Sequence, residues 1–116
     1  MKVVYASRTG NVQKLIDKLA LTDSVKITSG EEKVDGDYIV VTYTDGQGII
    51  PPVVEQFLDN NKAGLKGAAV SGNQERHPDT FCQAAEKIQA KYGCPIIVTF
   101  AKEGDDAVVE AIKAVL

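Results

Sequence analysis

Lys2-Val3-Val4-Tyr5-Ala6-Ser7-Arg8-Thr9-Gly10-Asn11 is a short apolar strand that runs straight into a small polar turn. Val12, Leu15, Ile16 and Leu19 follow at helical spacing, which predicts a helix from Asn11 to Leu19 with one apolar face. A strand that turns at once into a helix opens a crossover to a parallel strand. It also aims the unsatisfied N–H groups of a helix start at whatever lies beyond the strand, a natural setting for a phosphate. Ser7 and Thr9 add hydroxyl donors, and Gly10 lets the chain wrap closely. Asn11 is expected either to cap the helix or to donate to a phosphate oxygen. Arg8 either adds positive potential or points to solvent. The turn has neither the lysine and long glycine spacing of a nucleoside triphosphate loop nor the dinucleotide glycine pattern. A terminal monophosphate is the expected ligand group, and an ordinary Asn-capped helix is the alternative.

Working outward, short apolar runs alternate with helical stretches. Val3 to Ala6 is the first expected strand, Val25 to Ile27 a weak second, and Tyr38 to Tyr43 a stronger third. The third has little polar alternation, as a strand covered on both faces should. Pro51 and Pro52 suit the opening of a helix, Val54, Phe57 and Leu58 give it an apolar face, and Asn60-Asn61 ends it. Gly67 to Ser71 is the fourth strand. Asp79 to Tyr92 is a helix capped by Gly93, Pro95 to Phe100 the fifth strand, and Asp105 to Val115 the closing helix. This alternation predicts an α/β fold with a five-stranded parallel sheet, order 2-1-3-4-5, in one domain over residues 1–116. Sites in such sheets lie beyond the carboxyl ends of the strands, at the switch between strands 1 and 3.

Composition narrows the function classes. A net charge of −3 gives no basic surface for nucleic acid. No apolar run has membrane-spanning length, and the opening strand-like residues do not read as a signal peptide. Cys82 and Cys94 make neither a disulfide framework nor a metal site, so a reducing, cytoplasmic setting is expected.

Two further loops reach the switch point. Thr42-Tyr43-Thr44-Asp45-Gly46-Gln47-Gly48 leaves the third strand, and its two glycines give a backbone that can lie against a flat ligand and reorient a peptide. Such a peptide can offer a carbonyl or an N–H to a ring nitrogen. Tyr43 either packs beside a ring or belongs to the core. Ser71-Gly72-Asn73-Gln74-Glu75-Arg76-His77-Pro78 leaves the fourth strand. Gly72 and Asn73 can present donors to the polar edge of a ring. His77, the only histidine, either stacks on a ligand, moves a proton, forms part of a partner surface, or is simply an exposed loop residue. Phe81 and Cys82 read as core.

Together the Ser7–Val12 segment, the 42–48 segment and Ser71-Gly72-Asn73 resemble the flavodoxin-like FMN proteins, and more narrowly the NrdI family. Phe81 and the stretch from Ala90 to Pro95 fit as well. The resemblance implies a three-layer flavodoxin-like sandwich that binds FMN. Ser7, Thr9, Gly10 and Asn11 would hold the phosphate, Thr44 to Gly48 would flank the isoalloxazine, and Ser71, Gly72 and Asn73 would contact the other side. It further implies electron transfer to the small, metal-carrying subunit of class Ib ribonucleotide reductase, with a separate electron donor. In that family reduced FMN converts oxygen to superoxide, used to build a dimanganese-tyrosyl radical cofactor. The chain departs from the family pattern after Asn73, where Gln74 to Pro78 replaces an Arg-Asn-aromatic-Gly stretch.

Three other readings stand beside this one. One is a flavodoxin-like binding module without FMN, and another an electron carrier for a different partner. The third is a signalling receiver, in which Asp45, Ser71 and Lys102 would stand for a phosphoacceptor, a switch hydroxyl and a lysine. A magnesium site also needs acidic groups after the first strand, where this chain has Ala6-Ser7-Arg8.

Overall fold

The computed structural model describes residues 2–7, 10–21, 24–44, 49–72, 83–101 and 104–116. The strands are β1 (Lys2–Tyr5), β2 (Ser24–Lys26), β3 (Tyr38–Tyr43), β4 (Leu65–Gly72) and β5 (Ile96–Ala101). The helices are α1 (Asn11–Leu19), α2 (Pro52–Asn61), α3 (Gln83–Tyr92) and α4 (Asp106–Lys113). All four strand pairings are parallel, in the expected order β2-β1-β3-β4-β5.

The sheet is buried on both faces because its strands alternate between two cores. Val4, Tyr38, Val40, Ala68 and Val70 face α2 and α3, where they meet Val54, Phe57, Leu58, Ala84 and Ile88. Val3, Tyr5, Ile39, Val41 and Ala69 face α1 and α4, against Val12, Leu15, Ile16, Val109 and Ile112. Tyr38 closes the lower end of the first core: its ring meets Phe57 edge-on at 5.7 Å, and its hydroxyl donates to the Asn61 carbonyl at 2.9 Å. Burial therefore pushes the Tyr38 phenol upward.

Several element ends differ from the sequence expectation. β4 begins at Leu65 rather than Gly67, because a 3₁₀ turn, Lys62–Gly64, delivers Leu65 directly opposite Tyr38. β1 is assigned to Lys2–Tyr5, although the Ala6 N–H still bonds the Val41 carbonyl at 3.0 Å. β2 covers Ser24–Lys26 rather than residues 25–27, and Ile27 still donates to Tyr5 at 2.7 Å. α4 ends at Lys113 instead of Val115, since Val115 and Leu116 are exposed and have no core to enter. Asp105 is its N-cap, accepting from the Val108 N–H at 3.2 Å. Gly93 ends α3 at φ 72° as expected. Of the helix expected from Asp79, residues 79–82 lie outside the described residues.

Between β2 and β3 no helix forms. Residues 27–37 instead make a strap against α2. Asn61 pins it, accepting from the Val34 N–H at 3.0 Å and donating to the Glu32 carbonyl at 2.9 Å. Gly30 sits at φ 85°, where a Cβ would lie 2.8 Å from the Val53 carbonyl oxygen, so a side chain is excluded twice over. The strap is also latched internally. The Glu32 carboxylate accepts from the Thr28 hydroxyl (2.7 Å) and from the N–H groups of Thr28 (2.8 Å), Ser29 (3.1 Å) and Gly30 (2.9 Å). Desolvation opposes the charge, but the Thr28 and Ser29 hydrogen bonds outweigh it and hold the carboxyl at about 2, against an ordinary 4.5.

The latch has a pH signature. Because the folded carboxyl titrates below the unfolded one, its stabilisation is fully present above pH 4.5 and is lost as the pH falls toward 2. Glu32→Gln is expected to lower the unfolding free energy at pH 7 by about 1 kcal/mol, the group being partly exposed. Urea unfolding of both proteins at pH 7 and near pH 2 checks this; a difference that persists undiminished in acid would contradict the latch.

Candidate functional site

All five strands point their carboxyl ends at one edge, so the connections that leave this edge gather there. The registers set the level of each. Tyr5 lies opposite Val41, so Ser7 and Tyr43, each two residues further on, emerge at one height. Tyr43 is opposite Ser71, and Ser71 opposite Phe100. The three expected site loops thus leave from adjacent strands in a single row.

The Ser7 turn is organised around one hydroxyl. Ser7 Oγ accepts from the Gly10 N–H at 3.1 Å and the Gln13 N–H at 3.2 Å. This settles the capping alternative against Asn11. Gly10 is the N-cap, with φ 92°, and Asn11 is the first helical residue. Ser7, three residues before the cap, does the work a cap side chain normally does. A Cβ on Gly10 would meet nothing within 4 Å, so glycine is required there by backbone angle and not by space. Lys14 N–H bonds the Gly10 carbonyl at 3.0 Å and starts the helical ladder. The Asn11 and Val12 N–H groups precede that ladder and are the helix-end donors among the described residues. The Ser7 hydroxyl accepts twice and keeps its own proton to donate. Val12 can take part only through its N–H, because its side chain is buried in the α1–α4 core.

The second and third loops are tied together where they begin. Thr44 donates twice to the Ser71 carbonyl, from its N–H at 2.8 Å and its hydroxyl at 3.0 Å. This clamp continues the β3–β4 pairing one residue past the end of β3. Tyr43 is half-buried and packs against both cores, which makes it the lid of the sheet edge. Thr42, Ser71 and Gly72 are buried. A buried polar row at the strand ends gives the site a fixed floor, held by backbone bonds rather than by mobile side chains.

Of the residues singled out in the sequence, the structure brings together Ser7, Gly10, Asn11, Val12, Tyr43, Thr44, Ser71 and Gly72. Arg8, Thr9, Asp45, Gly46, Gln47, Gly48, Asn73 and His77 lie outside the described residues, as do Phe81, Cys82 and Lys102. Cys94 is a free, buried thiol pushed upward by desolvation. Among the described residues no group of three or more His, Cys, Asp or Glu is arranged to hold a metal ion, and no helix is long and apolar enough to cross a membrane. Sequence reasoning missed the central role of Ser7 Oγ and the Thr44–Ser71 clamp. The only sequence signal for either was a hydroxyl residue at the end of a strand.

Comparison with known proteins agrees with the fold. The chain is 38% identical over 104 residues to the protein NrdI of Bacillus licheniformis, covering 90% of this chain and 78% of that one. It is 37% identical over 106 residues to the protein NrdI of Macrococcus caseolyticus, covering 91% and 81%. Two solved structures share the fold. One is the two-electron reduced flavodoxin of Megasphaera elsdenii, with TM-score 0.62, 21% identity, and 95% of this chain and 96% of that one covered. The other is a short-chain flavodoxin associated with a non-canonical PDU bacterial microcompartment, with TM-score 0.59, 20% identity, and coverage of 97% and 90%. The family model described as NrdI flavodoxin-like matches residues 3–114, and with it the chain belongs to the NrdI flavodoxin-like family.

Proposed function

We propose that this protein is an FMN-dependent electron-transfer protein of the cytoplasm. It supplies superoxide for assembly of the dimanganese-tyrosyl radical cofactor in the small subunit of class Ib ribonucleotide reductase, and draws electrons from a separate donor. The observation that carries the reading is the Ser7 turn. Its donors suit a terminal phosphate, and it leaves the same sheet edge as the Thr44–Ser71 clamp. Membership of the NrdI flavodoxin-like family supports the choice of a flavin.

The residues fit FMN at its phosphate end. The N–H groups of Asn11 and Val12 and the Ser7 hydroxyl proton would bind phosphate oxygens, with the Thr9 hydroxyl and the Arg8 charge from the same turn. A dianion there is also favoured by the positive end of the α1 dipole. Gly10 keeps the turn open. At the ring, Thr44 would fix the start of the 45–48 loop through the Ser71 carbonyl, so that Asp45, Gly46, Gln47 and Gly48 run along one side with Tyr43 beneath. Ser71, Gly72 and Asn73 would bound the other side, and His77 would stand in the loop that a partner approaches. When bound, the flavin supplies electron exchange between the donor and oxygen. The chain's own part is binding, orientation and electrostatics, which makes it an accessory activating protein.

Two measurements check this reading. In an aerobic absorbance titration, FMN is expected to bind at least about tenfold more tightly than riboflavin, a difference of about 1.4 kcal/mol from the phosphate. Equal affinity for the two, or no FMN binding at high micromolar concentration, would sink the electron-transfer mechanism. Ser7→Ala leaves two N–H groups without their acceptor. It is expected to cost about 1 kcal/mol of folding stability in urea, and to weaken FMN binding while leaving riboflavin binding unchanged.

A further inference from the structure

β1 and β2 release the chain side by side at the carboxyl edge of the sheet. Tyr5 is paired with Lys26, and the Ile27 N–H reaches the Tyr5 carbonyl at 2.7 Å, so the pairing holds one residue past β2. Ser7 and Thr28 each stand two residues beyond the Tyr5–Lys26 pair. Neighbouring strands lie about 5 Å apart, which makes the Ser7 turn and the start of the strap neighbours at this edge. Alternation also puts them on one side of the sheet. Val4, Ala6, Val25 and Ile27 pack into the core beneath α2 and α3, and Tyr5 into the other. Ser7 and Thr28 therefore fall on the α1 side, where Ser7 Oγ meets the Gln13 N–H.

Thr28 holds a charge at that place. Its hydroxyl and N–H, with the Ser29 and Gly30 N–H groups, fix the Glu32 carboxylate. Other charges surround the two turns: Lys14 on α1, Lys26 on β2, and Glu31 and Lys33 on the strap. All four side chains are exposed, and no hydrogen bond or ion pair among the described residues fixes their charged ends. Asp17 and Lys18 lie in the last turn of α1, away from this edge. Glu32 is thus the charge held in place beside the Ser7 turn, and it stays ionised through the neutral and mildly acid range. The Debye length is about 10 Å at 0.1 M salt, so a fixed carboxylate one strand away reaches the turn at low salt and is screened from it at high salt.

We infer that Glu32 sets how tightly the Ser7 turn holds a phosphate: its fixed negative charge opposes a dianion bound there. This deepens the function proposed above and rests on it, since FMN supplies the phosphate. The strap then has two effects of opposite sign. Its latch stabilises the fold, while the charge that makes the latch weakens anion binding on the neighbouring strand. Riboflavin, which has no phosphate, is indifferent to Glu32.

The test is a titration of the full chain with FMN and with riboflavin, in the wild type, Glu32→Gln and Glu32→Asp. Glu32→Gln removes the charge. Glu32→Asp keeps it on a side chain one methylene shorter, and so disturbs the latch without removing the charge. At about 20 mM NaCl, Glu32→Gln is expected to bind FMN about threefold more tightly than the wild type, and the gain should vanish at about 500 mM NaCl. Riboflavin affinity should not move, and Glu32→Asp should gain nothing for FMN. A merely structural role predicts the opposite sign, because a loosened strap weakens binding. Unchanged or weaker FMN binding by Glu32→Gln at low salt, the same gain in Glu32→Asp, or a riboflavin shift in step with FMN would overturn the inference. The wild type separates the two claims: if it binds no FMN, the electron-transfer reading falls and takes this inference with it. If it binds FMN and Glu32→Gln gains nothing, only the role of Glu32 falls.

Discussion

β3 has almost no surface toward water. Tyr38 to Thr42 are buried, and the apolar ones alternate between two cores on opposite faces of the sheet. A strand in that position can satisfy its backbone only sideways, through β1 on one side and β4 on the other. It also needs helices over both faces, which in a parallel sheet the crossovers provide. The layering, the strand order and the common direction of the carboxyl ends all follow from covering this one strand. Truncating a side chain as central as Phe57, beneath it, would cost about 3–5 kcal/mol, enough to threaten a domain whose whole margin is about 5–15 kcal/mol.

The same constraint builds the site edge. Where β3 and β1 part company, the sheet has no strand to carry its polarity onward, and backbone groups must find other partners. Thr44 finds the Ser71 carbonyl, and Ser7 collects two N–H groups from its own turn. Both devices stabilise the strand ends, and the Ser7 turn leaves the Asn11 and Val12 N–H groups ahead of the helical ladder. The strap that leaves the carboxyl end of β2 uses a related solution. There the Thr28–Gly30 donors converge on the chain's own Glu32 carboxylate, while the donors at the Asn11 and Val12 end remain available to a ligand.

Much of this was legible in the residues. The unbroken apolar run from Tyr38 to Val41 and the helical spacing of Val12, Leu15, Ile16 and Leu19 specify buried elements by period alone, and the structure has them. The Gly10-Asn11 junction marked the start of α1 but not its chemistry. Asparagine is a frequent cap, yet here a left-handed glycine takes that position and a serine three residues earlier supplies the oxygen. Element ends were legible only approximately. Whether Leu65 joins a strand, or Val115 a helix, depends on a neighbour that local sequence does not contain.

The sequence by itself determined the alternation of strands and helices, the parallel sheet with its order, and the gathering of the polar turns at one edge. These depend on periodicity and on handed, short connections, which are local properties. Only the tertiary structure decided which donors at that edge are consumed and which are left over. It alone made Ser7 the centre of the first turn, clamped Thr44 to Ser71, latched the strap with Glu32, and joined Lys91 to Glu55 and Asp59. The physical reason is common to all of them. Which donor meets which acceptor depends on ångström distances set by the folded backbone, both within a turn, as at Ser7 and Glu32, and between distant elements, as at Thr44–Ser71 and Lys91–Asp59, and a pattern of residue types does not carry those distances.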